Sequence, residues 1–391
     1  MSTTKSKWPS FSEEEALAVA EVVRSNKVNY WTGDTGRRFE TAFANWTGSR
    51  RAIALANGTL ALDVAFRALD IGPGDEVIVT PRTFIASVSS VVNAGATPVF
   101  ADVDRDSGNI STETIQAVLS PRTRAVVPVH LAGWPCDMTG IMALAKDHGL
   151  SVVEDCAQAH GAKVGDRSVG SIGHIGAWSF CQDKIMTTGG EGGMVTTDDE
   201  TLWSRMWSFK DHGKSWDAVY DRQHPPGFRW VHESFGTNWR MLEVQAAIGL
   251  IQLERIAEWT KRRTKIANNL MEALSPFASA VRVPVPDAAD THAYYRLYGY
   301  VRPGQLKQGW DRDRLVAELV AGGVAVLHGT CSEVYLERAF EGTSFRPKER
   351  LPVARELGET SLMFLTHPTM TEDELATARE TIARVLGEAT R

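Results

Sequence analysis

The sequence predicts an α/β protein: a three-layer domain with a mostly parallel central sheet and helices on both faces, followed by a smaller α+β domain. Three observations carry this. Short apolar runs alternate with amphipathic helical stretches between Ala54 and Thr197. Helices between apolar strands imply parallel pairing with both faces of the sheet covered. After Asn238 helical periodicity continues through a long stretch, until Pro284 and Pro286 break it.

The elements follow in order. An amphipathic helix spans Ser12–Ser25, and RRFETAFANWTG gives a second one ending near Gly48. ALANGT then supplies a strand and a turn, with a helix starting at Thr59. A Gly-Pro-Gly turn leads into strand Glu76–Thr80, and after a further helix comes strand Pro98–Asp102. More strands are expected at Ala125–Pro128, Leu150–Glu154, Ala177–Phe180 and Met194–Thr197. WRMLEVQAAIGLIQLERIAEWTKRRTKIANNLMEAL forms one long helix or two consecutive ones leaving the sheet. Strand Ala293–Val301 and helices Arg312–Ala321 and Glu372–Val385 build the second domain. The expected division is 1–255, an N-terminal arm and large domain, and 256–391, a linking helix and small domain. Right-handed crossovers align the strand ends on one rim, where such sheets bind ligands.

Composition narrows the function. The 391 residues are 43% hydrophobic and 23% charged, enough to bury a core in more than one domain. The formal charge of −6 comes with no basic run or basic-aromatic stripe, which argues against nucleic acid as a partner. The opening residues lack a secretory apolar region, and no segment has the length of a membrane-spanning helix, so a cytoplasmic protein without membrane contact is expected. Cys136, Cys156, Cys181 and Cys331 are widely spaced with no Cys-x-x-Cys pair, which gives no support to a disulfide framework or a structural zinc site.

SFCQDKIMTTGGEGG places Lys184 just beyond a buried strand, with glycines after it. A P-loop has its glycines before the lysine and opens a helix, so the order here is reversed. Desolvation at such a position leaves a neutral amine available to attack an aldehyde and form a Schiff base. SVVEDCAQAHGA ends an apolar strand on Glu154 and Asp155, and a buried acid there needs a cation or a strong donor. A carboxylate capping the next turn is the rival reading for Asp155 and the better one for Glu154. ANGT, at Ala56–Thr59, joins a strand to a helix whose N-terminus can hold a phosphate, although a plain turn and helix cap has the same pattern. An acid for a pyridinium nitrogen, a phosphate cup and a lysine, arranged along an α/β sheet, are what pyridoxal phosphate requires.

These stretches resemble the DegT/DnrJ/EryC1/StrS aminotransferases, which have the fold-type I architecture of aspartate aminotransferase. The resemblance runs from about Tyr30 to the C-terminal helix through RRFETAFANWTG, ANGTLAL, TPRTFIAS, GATPVFADVD, PVHLAGWPCDM, VVEDCAQAHGA, WSFCQDKIMTTGGEGG and FGTNWRMLEVQAAIG. It implies that Lys184 bears the cofactor as a Schiff base and then shuttles a proton, while Asp155 pairs with the pyridine nitrogen. Gln158 would contact the phenolic oxygen, Phe84 stack on the ring, and Gly58, Thr59 and Ser179 hold the phosphate. Asn238 would reach that phosphate from the opposite chain of a homodimer with shared sites. His328 and His367 are candidate substrate contacts, with structural histidines the competing reading.

The function this implies is transfer of the amino group of L-glutamate to a nucleotide-linked keto-sugar. A related sugar dehydratase would carry histidine in place of Lys184. A dehydrating synthase of an aromatic amino acid keeps the lysine, so substrate trials separate it. A regulatory protein on the same scaffold is the non-enzymatic alternative.

Overall fold

The computed structural model describes residues 6–390. The strands are β1 (Arg51–Leu55), β2 (Glu76–Val79), β3 (Thr97–Phe100), β4 (Thr123–Val127), β5 (Ser151–Asp155), β6 (Lys163–Val164), β7 (Arg167–Ser168), β8 (Ile175–Ser179), β9 (Gly193–Thr197), β10 (Val281–Arg282), β11 (Arg296–Val301), β12 (Val326–Leu327) and β13 (Ser361–Leu365). The helices are α1 (Glu13–Arg24), α2 (Thr35–Thr47), α3 (Gly58–Ala68), α4 (Ala86–Asn93), α5 (Thr112–Gln116), α6 (Met138–His148), α7 (Glu200–Lys210), α8 (Glu243–Leu274), α9 (Arg312–Ala321), α10 (Pro352–Thr360) and α11 (Glu372–Ala389).

A seven-stranded sheet runs in the order β1-β9-β8-β5-β4-β2-β3. Its strands are parallel except β9, which lies antiparallel between β1 and β8. The expected parallel character therefore holds with one inverted strand. Its cause is local: Phe180 to Gly192 holds no helix, and a parallel return needs a crossover about a dozen or more residues long, usually helical.

Alternation along each strand fills two layers. Ile53, Val77, Val79, Ala125, Val127, Val153 and Ile175 pack with Phe66 of α3, Val88 and Val91 of α4, and Met206 and Trp207 of α7. On the opposite face Ala54, Trp178 and Met194 meet Phe39 and Phe43 of α2 and Ile256 of α8. Ile78, Val126 and Val152 meet Ile141 and Ala145 of α6 there. Apart from the edge strand β3, where Thr97 and Val99 are half-exposed, the strands are buried on both sides, which is why their sequences read as nearly unbroken apolar runs.

The second sheet has the order β10-β11-β13-β12, all antiparallel, and packs with α9, α11 and the end of α8. β13 was not expected from the sequence. Its SLMFL run follows α10 without a turn residue between them and contains no β-branched side chain, so the usual strand cues are missing. The long helical pattern is one helix of 32 residues, and the expected division at 255/256 falls inside it. Among the described residues no helix is long and apolar enough to cross a membrane.

Candidate active site

The carboxyl ends of β1, β5 and β8 and the loops that follow them enclose a cavity of about 560 Å³. Lys184, Asp155, Gly58, Thr59, Phe84, Gln158 and Ser179 all line it. Residues chosen from separate stretches of sequence thus share one wall-to-wall space.

One end is built by α3. The first N–H groups of a helix have no partner within it, and Asn57 Oδ1 accepts only that of Leu60, at 3.0 Å. Gly58 lies against Ser179 so closely that a Cβ at residue 58 would stand 2.5 Å from Ser179 Cβ. Absence of a side chain there keeps the helix N-terminus open beside the Thr59 and Ser179 hydroxyls, a combination suited to an anionic group.

Asp155 closes β5 and is buried. Its Oδ2 accepts from Ser87 Oγ at 2.7 Å, and its Oδ1 accepts the N–H of Ala157 at 3.1 Å. The carboxylate therefore caps the following turn and also faces the cavity, so the two readings of its sequence position are compatible. Ser87 was missed from the sequence. Its Oγ lies 2.7 Å from Thr83 Oγ1, and two hydroxyls four residues apart at a helix start were the available signal. Glu154, on the other side of the strand, takes no part in the cavity. It accepts the N–H groups of Gly170, Ile172 and Gly173 at 2.6 to 2.8 Å and pairs with His130 Nε2 at 3.0 Å. Burial raises the Glu154 carboxyl, but His130 and these backbone donors outweigh it and hold the group below the ordinary carboxylate value.

Gln158 Oε1 accepts the N–H of Ala132 at 2.8 Å, which orients its amide nitrogen as a free donor. Phe84 is 67% exposed although large and apolar, a surface that a flat ring would cover. Lys184 has its Nζ 3.5 Å from Asp183 Oδ1 and 5.5 Å from the centre of the Tyr295 ring. Tyr295 Oη donates to Asp183 Oδ2 at 2.6 Å.

Three residues named from the sequence lie elsewhere. Asn238 is exposed and pairs through its backbone with Asp211. His328 is largely exposed beside Asp313, at 3.6 Å. His367 is buried against Thr369, whose Oγ1 lies 2.8 Å from its Nδ1. Burial, with Arg263 adding repulsion, pushes His367 down to about 4, so its imidazole is neutral at pH 7. Neither histidine reaches the cavity within the chain, because β12 and the end of β13 carry them into the small domain.

The cavity satisfies the demands of pyridoxal phosphate: a helix terminus and hydroxyls at one end, a fixed carboxylate at depth, an aromatic wall and a lysine.

Residues 9–383 match the DegT/DnrJ/EryC1/StrS aminotransferase family. The X-ray structure of an aminotransferase from Psychrobacter cryohalolentis superposes with a TM-score of 0.97 at 61% identity, covering 98% of this chain and 99% of that one. The UDP-N-acetyl-3-dehydro-alpha-D-glucosamine 3-aminotransferase of Acidithiobacillus ferrooxidans is 36% identical over 90% of this chain and 89% of its own. The GDP-perosamine synthase of Caulobacter vibrioides is 39% identical over 75% and 76% of the two chains.

Proposed function

Because the chain belongs to the DegT/DnrJ/EryC1/StrS aminotransferase family, we propose that it moves the amino group of L-glutamate to a keto-sugar linked to a nucleotide, in the cytoplasm. It is a pyridoxal-phosphate-dependent aminotransferase, as its family is. The sugar substrate is supported by the relatives that act on UDP- and GDP-linked sugars. Four free cysteines are in keeping with a reducing compartment.

The observation that carries the residue roles is the convergence of Lys184, Asp155 and the α3 N-terminus on one cavity. When bound, the cofactor supplies an electron sink for the carbon that bears the amino group. Asp155 would hold a proton at the ring nitrogen, its carboxylate kept in orientation by Ser87. Lys184 Nζ, which lines the cavity, would hold the cofactor and would be the group to take up and return the proton on the substrate. Gly58, Thr59 and Ser179 would hold the phosphate, Gln158 would donate to the phenolic oxygen, and Phe84 would cover the ring face. The same set serves donor and acceptor halves of the reaction. A lysine at residue 184 disfavours the dehydratase alternative, and a filled set of cofactor positions disfavours a purely regulatory role.

A symmetric homodimer completes the proposal, with Asn238 reaching the partner's phosphate site. Its support is the segment around Asn238, where Phe228, Trp230 and Phe235 are 76%, 80% and 99% exposed. Aromatic surface on that scale calls for a covering partner.

The test is mass spectrometry of products from a panel of nucleotide-linked keto-sugars with L-glutamate as donor. An amino-sugar nucleotide together with 2-oxoglutarate is the expected result. Turnover only of cyclic keto acids to an aromatic amine would overturn the sugar reading in favour of the dehydrating synthase.

A further inference from the structure

The N-terminal segment reaches the lysine loop at two places. Trp8 Nε1 donates to the backbone oxygen of Lys184 at 2.7 Å. Farther on, buried Glu15 in the first turn of α1 accepts from Gln252 Nε2 at 2.7 Å, and Gln252 Oε1 accepts the N–H of Thr187 at 2.9 Å. The N–H of Lys184 itself is held by Cys181 O at 3.1 Å. Both backbone groups of Lys184 are therefore fixed, one of them by an indole far away in sequence.

The segment is itself anchored. Ser6 donates through its N–H and Oγ to Glu374 at 2.8 and 2.6 Å, and Thr369 Oγ1 donates to Lys7 O at 2.9 Å. Trp259 meets the Trp8 ring edge-on at 5.1 Å, and the Arg263 guanidinium lies 5.2 Å from its centre. Arg263 Nε and Nη2 are buried and find no hydrogen-bond partner among the described residues, so the indole face is a large part of what compensates that cation. The Trp8 ring thus serves Arg263 while its N–H serves Lys184, and the two roles are separable.

We propose that residues 8–15 form a brace on the lysine loop, in which Trp8 holds the Lys184 carbonyl and Glu15, through Gln252, holds Thr187, so that both are positioning residues for the Lys184 amine. The proposal rests on Lys184 being the lysine that bears the cofactor. A lysine side chain is long and flexible, so its amine can be aimed only if its backbone root is fixed, and misplacement by about 1 Å costs on the order of a hundredfold in rate. Past Thr187 the chain turns through Gly189 and Gly190, at φ of 86° and 120°, and is tied there by Thr188 Oγ1 donating to Glu191 O at 2.6 Å and by the N–H of Gly190 donating to Thr187 Oγ1 at 3.2 Å. Those ties lie beyond Thr187, and the brace adds from outside the loop the ones at Lys184 and Thr187.

The test compares Trp8→Phe, which keeps an aromatic ring and loses the N–H, with Gln252→Met and with Ser6→Ala, which removes the hydroxyl bond to Glu374 and leaves the Ser6 N–H on it. Three readouts are taken: hydrogen exchange of peptide 181–189 without cofactor, visible circular dichroism of bound pyridoxal phosphate, and kcat against KM. Trp8→Phe should melt near the wild-type temperature, exchange that peptide about tenfold faster, weaken the visible dichroic band, and lower kcat about tenfold at nearly constant KM. Gln252→Met should move the same readouts in the same direction, and Ser6→Ala should move none. Wild-type exchange and dichroism in Trp8→Phe overturn the brace, as does an equal response from Ser6→Ala. Borohydride labelling of the wild type separates the two readings. A label on Lys184 with a silent Trp8→Phe sinks the brace alone, and a label on another lysine sinks both.

Discussion

Ser87 Oγ donates to Asp155 Oδ2 across 2.7 Å, so the carboxylate at the end of β5 is oriented by a hydroxyl from α4. Removing that hydroxyl in Ser87→Ala leaves Asp155 in place with one charge-assisted bond fewer, a loss of about 1.5–3 kcal/mol at most. Cofactor should still bind, and the donor half-reaction should slow roughly tenfold in stopped-flow absorbance. An unchanged rate would show that Asp155 needs no help from α4.

Asp155→Asn tests the carboxylate itself. A neutral amide retains the shape and the Ala157 contact but cannot hold a ring proton electrostatically, so the expected outcome is bound cofactor with turnover reduced by about 10²–10³. Absorbance and steady-state kinetics on the same preparation check both halves.

Gly58→Ala places a methyl where Ser179 Cβ is only 2.5 Å away. Either Ser179 or the start of α3 must shift, and the anion seat widens or closes. Pyridoxal phosphate affinity should fall at least about tenfold, with a smaller effect on pyridoxal lacking the phosphate. Equal losses for the two ligands would place the damage elsewhere.

Glu154 should govern acid stability. Its carboxyl is held below its ordinary 4.5 in the folded chain, so its contribution is complete above that value and is lost as pH falls through the lower folded one. Glu154→Gln should destabilise by about 3 kcal/mol in urea unfolding at pH 7, since four donors lose their anion. Its stability should then vary less than the wild type's below pH 4.5.

Asn238 offers the riskiest case. An inactive Lys184→Ala chain mixed with an inactive Asn238→Ala chain should regain activity, because some mixed dimers hold one site with both residues intact. A verified mixed dimer that stays inactive removes Asn238 from its neighbour's site.

Much of the cavity was legible because its chemistry stands at strand ends. Asp155 and Lys184 follow apolar runs that only a doubly covered sheet explains, and ANGT opens a helix. What escaped was set by partners distant in sequence. Nothing near Trp8 points to Lys184, and nothing in SLMFL announces β13. The inversion of β9 was written in the helix-free stretch before it, yet its place between β1 and β8 depends on the whole sheet.

That place also dictates when the protein can begin to exist. β1 is made early in synthesis, but its one hydrogen-bonded neighbour in the sheet is β9, and β9 in turn separates it from β8. A nascent chain therefore carries an apolar strand with an open edge until residue 197 has left the ribosome, sheltered only by α2 and α3. Pairings so far apart in sequence close slowly. The phosphate end of the cavity, which needs the residues after β1 beside the last residue of β8, forms in that same late step, so cofactor capture cannot precede it.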